Sequence, residues 1–267
     1  MALAVDLGIK DRVALVAASS SGLGRAVAEE LAAEGAHLVI CARGRERLEN
    51  TARRISDRHG TQMEAVVADL STAEGVQSVV ERAHERFGRV DILFTNTGGP
   101  PSGPFSDHDL DTWREAMRQN LESVILLIQG VLPGMKERGW GRIVNCTSVA
   151  VKQPIEGLML SNSIRAAVTG MARTLANEVA ASGVTVNNVL PGFTRTERLE
   201  ALADANAERG GTSRDEAMDA WREAIPMGRL GEPEEFAAMV AFLCSERAAY
   251  VTGTSIPVDG GWVQGLF

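Results

Sequence analysis

Short runs of apolar residues alternate along the chain with longer stretches in which apolar positions recur every three or four residues. The short runs are residues 13–17, 38–41, 65–68, 92–95, 143–146, 184–190 and 255–258. They are rich in leucine and β-branched residues and show little polar alternation, so they read as strands covered on both faces. Helical spacing marks residues 25–34, with Val27 and Leu31 one turn apart, and residues 72–87, with Val76, Val79, Val80 and Ala83 on one stripe. Residues 110–132 and 166–181 read as longer helices. Strands separated by helices of this length predict βαβ units and therefore an α/β fold. The expected architecture is a doubly wound parallel sheet of about seven strands between two helical layers.

No internal repeat or low-complexity linker splits the 267 residues, so 1–267 reads as a single domain. One stretch departs from the pattern. Residues 196–221 are polar, rich in Ala, Glu and Arg, helical in spacing, and interrupted by Gly210 and Gly211. This segment reads either as a helical lid over a site, inserted over 196–226, or as a surface hairpin with no role.

Composition narrows the class. Aromatics are only 4% of a chain that is 45% hydrophobic, so aliphatic residues must build the core. A net charge of −8 argues against a nucleic-acid partner. The densest basic stretch, Arg43, Arg45, Arg47, Arg53 and Arg54, is interleaved with Glu46 and Glu49 and reads as a solvated helix face. The three cysteines, Cys41, Cys146 and Cys244, lie in apolar runs with no close pair, which predicts free thiols in a reducing compartment. Residues 1–8 show no signal-peptide pattern and no apolar run reaches spanning length, so a cytoplasmic protein without a membrane partner is expected. The four histidines have no metal-ligand spacing, and no metal site is expected.

The first strand runs into Ala17-Ala18-Ser19-Ser20-Ser21-Gly22-Leu23-Gly24, and a helix follows. Such a turn gathers backbone N–H groups at the positive end of a helix, where a pyrophosphate binds in a Rossmann-type dinucleotide site. Gly22 lets the backbone approach the phosphate, and Gly24 lets the helix pack on the strand. The second strand ends at Ala42-Arg43 with no carboxylate to take ribose hydroxyls. An arginine there suits a 2′-phosphate, so NADP(H) is expected, with NAD(H) as the alternative.

These features resemble the short-chain dehydrogenase/reductase family, and the resemblance covers almost the whole chain. Residues 16–24, including Ser19, Ser20, Ser21, Gly22, Leu23 and Gly24, look like its glycine-rich turn. Asp69 and Leu70 resemble its adenine-binding position. Thr95-Asn96-Thr97-Gly98 resembles its Asn-Asn-Ala-Gly segment, which brings Asn96 and Gly98 to the cofactor. Asn120 matches its helix asparagine and Ser148 its active-site serine. Pro191, Gly192, Thr194 and Thr196 fall in its nicotinamide-side loop. The tail, with Gly228-Arg229-Leu230-Gly231-Glu232-Pro233 and Val258-Asp259-Gly260-Gly261, is similar to 3-oxoacyl carrier-protein reductases. In the family this region packs subunits together, which implies a homo-oligomer, commonly a tetramer.

The resemblance breaks at the proton donor. The family places a tyrosine thirteen residues after its serine and a lysine four residues later; counting from Ser148 reaches Ser161 and Arg165. The only tyrosine in the chain is Tyr250. A serine hydroxyl is a far weaker acid than a phenol of pKa about 10. Arg165 can bind ribose hydroxyls but cannot relay a proton. The candidate replacement donors are Ser161, a water and Lys152, four residues past Ser148, which otherwise reads as an ordinary exposed loop lysine. The family's first turn glycine is also lost: an alanine at 18 held at positive φ costs about 1 kcal/mol, and the turn is expected to differ in shape. Residues 98–104, with three prolines, read either as a rigid wall of the substrate pocket or as a plain surface turn.

Three functions are compatible with these residues. The first is an NADP(H)-dependent oxidoreductase acting on a small carbonyl or alcohol, such as a 3-oxoacyl group, through an atypical site of Asn120, Ser148, Ser161, Arg165 and Lys152. The second is a catalytically weak or inactive dinucleotide-binding sensor or partner subunit. The third is an elimination or isomerisation in the same pocket.

Overall fold

The computed structural model describes residues 6–266. Strand β1 (Val13–Val16) leads into helix α1 (Gly22–Ala33), β2 (His37–Ala42) into α2 (Arg45–His59), and β3 (Met63–Val67) into α3 (Ala73–Phe87). After β4 (Ile92–Thr95) come α4 (Leu110–Met117) and α5 (Ser123–Glu137), and after β5 (Gly141–Cys146) comes α6 (Met159–Val179). Strand β6 (Val184–Pro191) is followed by α7 (Glu197–Gly210), α8 (Arg214–Ala224) and α9 (Pro233–Cys244), and β7 (Ser255–Val258) closes the sheet. All seven strands run parallel, as the apolar pattern predicts, and their order is β3-β2-β1-β4-β5-β6-β7.

Alternate residues of each strand feed opposite cores, which is why no polar alternation appears. Ala14, Val16, Leu38 and Ile40 pack with Val27 and Leu31 of α1 and Phe236 and Val240 of α9. Leu15, Val39, Leu93 and Ile143 pack on the other face with Val79 of α3, Leu127 of α5 and Val168 of α6. Each fully buried aliphatic side chain contributes about 1.5–3 kcal/mol, so the two faces together dominate the stabilisation.

Polar side chains pin both edges of the sheet. Buried Asp91 accepts from the Val13 N–H at 3.0 Å and pairs with Arg89 at 3.0 Å and Arg138 at 3.6 Å. At the carboxyl edge, Thr95 Oγ1 donates to Asn145 Oδ1 (2.7 Å), Asn145 Nδ2 to Asn188 Oδ1 (3.1 Å), and Asn188 Nδ2 to Ser255 Oγ (3.1 Å).

Two helical expectations change. The run 110–132 is not one helix: α4 and α5 are separated by a widened π turn at Arg118–Glu122. Asn120 Nδ2 donates to the Ala116 carbonyl at 3.1 Å, taking the acceptor that an α-helical backbone N–H would use. Helix α6 begins seven residues before the expected 166, because Ser161, Asn162 and Ser163 disguise its first turns; Asn162 Nδ2 fastens that start to the Ile155 carbonyl at 2.9 Å. The polar segment after β6 forms α7 and α8, broken at Gly211 (φ +65°), with a small core of Leu199, Ala203, Met218 and Ile225.

Among the described residues no helix is long and apolar enough to cross a membrane, and no group of three His, Cys, Asp or Glu side chains could hold a metal ion.

All three cysteines are free and buried. Burial pushes the Cys41 and Cys146 thiols up to about 11 and Cys244 up to about 12. The thiolate is the reactive form, so a raised pKa suppresses it at every pH below that value. Native protein at about pH 8 is expected to leave an aromatic disulfide reagent unreacted, with all three thiols titrating only in denaturant. Fast reaction of one thiol in native protein would contradict this burial.

Candidate active site

A cleft of about 620 Å³ opens at the carboxyl edge of the sheet, where the strand order reverses between β1 and β4. This switch point is where open α/β sheets bind ligands.

Its first half is built on the β1–α1 turn. Ala18 adopts φ +50° and Gly22 φ +55°. The tight turn is thus kept with an alanine in it, at a cost of about 1 kcal/mol, instead of relaxing into the different shape its sequence suggests. Gly24 is obligatory for packing: a Cβ there would lie 2.3 Å from the Ala18 carbonyl oxygen. Ser20, Ser21, Gly22 and Leu23 line the cleft. Ser21 precedes α1 without capping it, and no acidic residue lies in the first turn, so the helix N-terminus presents its amides. Ser19 is not part of the lining. It is fully buried, its hydroxyl donating to the Val16 carbonyl at 2.8 Å and accepting from the Cys41 N–H at 3.2 Å, so it ties the turn to β2.

Arg43 lines the cleft at the end of β2, beside Asp69 and Leu70. The hydroxyl and N–H of Ser71 hold the Asp69 carboxyl below its ordinary range, and the Arg43 charge adds to this. Pro191, Gly192, Thr194 and Thr196 line the opposite wall. A Cβ on Gly192 would lie 2.7 Å from the Asp259 Cα, so that wall also needs a glycine.

The second half gathers Asn96, Gly98, Ser148, Ser161 and Arg165. Ser161 and Arg165 both lie on α6, one turn apart and facing the cleft, which is the placement that counting from Ser148 predicts. Arg165 Nη1 donates to the Cys146 carbonyl at 2.8 Å; burial pushes its guanidinium below the ordinary value, and Cys146 partly offsets this. The Ser148 hydroxyl accepts from the Ala150 N–H at 3.1 Å.

Two further predicted residues are placed elsewhere. Asn120 is buried behind the lining, its Oδ1 accepting from Thr97 Oγ1 at 2.7 Å, so it reaches the cleft only through Thr97. Lys152 is exposed and outside the lining, which removes the geometric basis for a proton donor. Tyr250 is fully exposed and also outside. Of the loop 98–104, Gly98 and Gly99 form wall while the prolines do not; its far end is strapped to the segment before α6 by the Gly103 N–H and Gly157 carbonyl at 2.6 Å.

Helix α7 lends Glu197, Arg198, Leu199 and Leu202 to the lining. Arg47 on α2 pairs with Glu197 at 2.7 Å, joining the two sides of the mouth. Arg198 donates to the Pro100 carbonyl at 2.8 Å. These residues escaped sequence reading because their partners lie about a hundred or more positions away; the only signal was the unusual polarity of 196–221.

Comparison with known proteins agrees with this geometry. Residues 17–263 match the family described as Enoyl-(Acyl carrier protein) reductase. The 3-oxoacyl-(acyl-carrier-protein) reductase FabG of Aquifex aeolicus is 34% identical over 257 residues, 96% of this chain and 99% of that one. The FabG of Escherichia coli K12 is 35% identical over 255 residues, 96% and 98% of the respective chains. The structure of L-sorbose reductase from Gluconobacter frateurii, complexed with NADPH and L-sorbose, superposes with a TM-score of 0.93 at 34% identity, covering 98% of this chain and all of that one. A glycine turn at a sheet switch point therefore comes with similarity over almost the whole chain: the chain belongs to the short-chain dehydrogenase/reductase family.

Proposed function

We propose that the chain is an NADP(H)-dependent oxidoreductase interconverting a small carbonyl compound and its alcohol, with an atypical active site. The observation that carries this reading is one cleft holding an amide-lined turn and Arg43 at one end and Ser148, Ser161 and Arg165 at the other. The similar sorbose reductase was solved with NADPH, and the FabG relatives act on 3-oxoacyl groups, which makes a 3-oxoacyl-like substrate one candidate.

The residues fit the dinucleotide. The close approach of Gly24 to Ala18 and the uncapped α1 N-terminus suit a pyrophosphate. Arg43 suits a 2′-phosphate, and no carboxylate ends β2 to repel it. Asp69 and Leu70 border the adenine, Asn96 and Gly98 the ribose side, and Pro191, Gly192, Thr194 and Thr196 the nicotinamide wall. Bound there, NADP(H) supplies or accepts the hydride.

The chain's own groups then have divided tasks. Ser148 and Ser161 donate hydrogen bonds to the substrate oxygen. Arg165 binds ribose hydroxyls and stabilises negative charge on that oxygen, while Asn120 positions Thr97 from behind. None of these is a phenol-strength acid, so the proton comes from water and turnover is slow. Much of the remaining rate comes from holding donor and acceptor together. Helices α7 and α8 act as the lid of this single domain. Exposed apolar groups near the C-terminus, Tyr250 and Leu266, support a homo-oligomer, a tetramer by the family's habit. Three buried free thiols suit a cytoplasmic setting. The missing acid also favours a second reading, a dinucleotide-binding sensor or partner subunit that turns nothing over.

Fluorescence titration separates cofactor from catalysis. NADPH is expected to bind more tightly than NADH, and Arg43→Ala to weaken NADPH by about 10–100-fold, the range of a charge-assisted contact, while leaving NADH nearly unchanged. Binding with no oxidation of NADPH by any compound in a carbonyl panel supports the sensor; no binding of either dinucleotide overturns both readings.

Restoring the acid tests the pocket. The double variant Ser161→Tyr/Arg165→Lys is expected to raise carbonyl reduction by about a hundredfold or more, as for a positioned general acid. A variant that folds and binds NADPH but gains nothing would show that the cleft is shaped for other chemistry.

A further inference from the structure

We propose that Arg198 is a specificity-determining residue that receives a carboxylate carried by the substrate itself, so that the natural substrate is an oxo acid or hydroxy acid rather than a neutral carbonyl compound. This rests on the reading of the cleft as a site for a small carbonyl substrate.

Arg198 differs from the other arginines of its region. Among the described residues Arg209 on the same helix also lacks a carboxylate, but it is exposed outside the cleft lining and bonds to the Ala205 carbonyl and Asn206. The rest are paired. Arg195 pairs with Glu232, Arg214 with Asp204 and Arg229 with Glu235. The carboxylate next to Arg198 in sequence, Glu197, is taken by Arg47. Among the described residues, Arg198 has no carboxylate within 4.0 Å, and its one hydrogen bond is to the Pro100 carbonyl. A guanidinium carries five N–H donors, so most of its capacity has no protein partner, and the side chain is exposed where it lines the cleft.

Its orientation is set in advance. A Cβ on Gly99 would lie 2.6 Å from both Nε and Nη2 of Arg198, so the guanidinium lies against a bare glycine backbone. The Pro100 carbonyl fixes one nitrogen at 2.8 Å. That leaves a fork suited to a bidentate carboxylate.

The neighbouring charge favours an anion as well. Arg165 lines the same cleft and likewise has only a carbonyl partner, at Cys146. Burial lowers the pKa of Arg198 and the like charge of Arg165 lowers it further. An anion between the two guanidiniums removes this repulsion. The phosphates of a dinucleotide are served elsewhere, by the β1–α1 amides and Arg43 across the switch point. Arg198 instead sits over the β4 loop on the side of Ser161 and Arg165, where the reacting carbonyl lies.

The test measures binding of pyruvate, acetoacetate and levulinate against their methyl esters, to the free protein and to the NADPH-loaded protein, by calorimetry and by quenching of bound NADPH fluorescence. At least one acid is expected to bind wild type about tenfold or more tighter than its ester, the size of one charge-assisted hydrogen bond. Arg198→Gln should erase that preference, Arg198→Lys keep part of it, and Gly99→Ala, which displaces the guanidinium but keeps the charge, reduce it. Unchanged thermal melting confirms that each variant folds. Equal binding of acids and esters to wild type overturns the proposal. So does a loss of NADPH affinity in Arg198→Gln with acid preference intact, which would assign the arginine to the cofactor's phosphates. Failure of NADPH to bind wild type would instead sink the oxidoreductase reading, and acid-over-ester binding to the free protein would still decide the carboxylate site.

Discussion

The half of the cleft that holds Ser148, Ser161 and Arg165 stands on a chain of buried hydrogen bonds that runs from Thr95 through Asn145 and Asn188 to Ser255. These residues sit opposite one another in the parallel register of β4, β5, β6 and β7. Each such bond contributes about 0.5–1.5 kcal/mol net, but leaving a partner unmade costs about 1–3 kcal/mol. The chain is therefore strict about register. A slip of one residue in β5 or β6 would point Asn145 or Asn188 to the opposite face of the sheet and break the chain. Fixing the strand ends in this way fixes the loops that leave them, with Asn96 after β4, Ser148 after β5 and Thr194 after β6. Arg165 grips the same edge from above through the Cys146 carbonyl.

Much of this was legible from the amino acids alone. Strands covered on both faces leave uninterrupted aliphatic runs, which made β1, β2, β4, β5 and β6 plain; β3 and β7 are only partly buried and were visible from shorter apolar runs. The glycine turn was visible because only a residue without Cβ fits at Gly24. The register of α6 was fixed by the spacing from Ser148, though its first turns were hidden by Ser161, Asn162 and Ser163. What stayed hidden depends on side-chain direction or distant partners. Ser19 looks like the rest of its serine run, yet its hydroxyl is spent on Val16 and Cys41. Asn120 has the right spacing for the cleft, yet the π turn it helps create places Thr97 between it and the lining. Lys152 has the chemistry but points to water. Arg198 had no sequence signature, because its meaning comes from Gly99 and Pro100, nearly a hundred residues earlier.

The electrostatics of the cleft differ from those of the whole chain. A protein with a net charge of −8 lines its principal cavity with Arg43, Arg165 and Arg198. A cationic concavity on an acidic body attracts anions into one place and repels them from the rest of the surface. The two ends of the cleft use that charge differently. At the β2 end, Arg43 is exposed. At the α6 end, Arg165 is half-buried and held by a carbonyl, so its charge is fixed in direction.

In the proposed reading Ser161 and Arg165 stand where the family resemblance expects tyrosine and lysine, and that difference sets what the site can do. A lysine–tyrosine pair moves a proton, because the ammonium lowers the phenol's pKa toward neutrality. A serine–arginine pair cannot, since neither group changes protonation near neutral pH. What it retains is hydrogen bonding and a permanent positive charge at the oxygen where negative charge develops. Stabilising charge without supplying a proton suits reactions whose oxyanion can persist until water protonates it. It disfavours those that need proton and hydride in concert. In the proposed reading such an exchange leaves the cleft able to bind and polarise a carbonyl while moving the slow step to proton delivery. An anionic substrate anchored by Arg198 would remain in place through that delay.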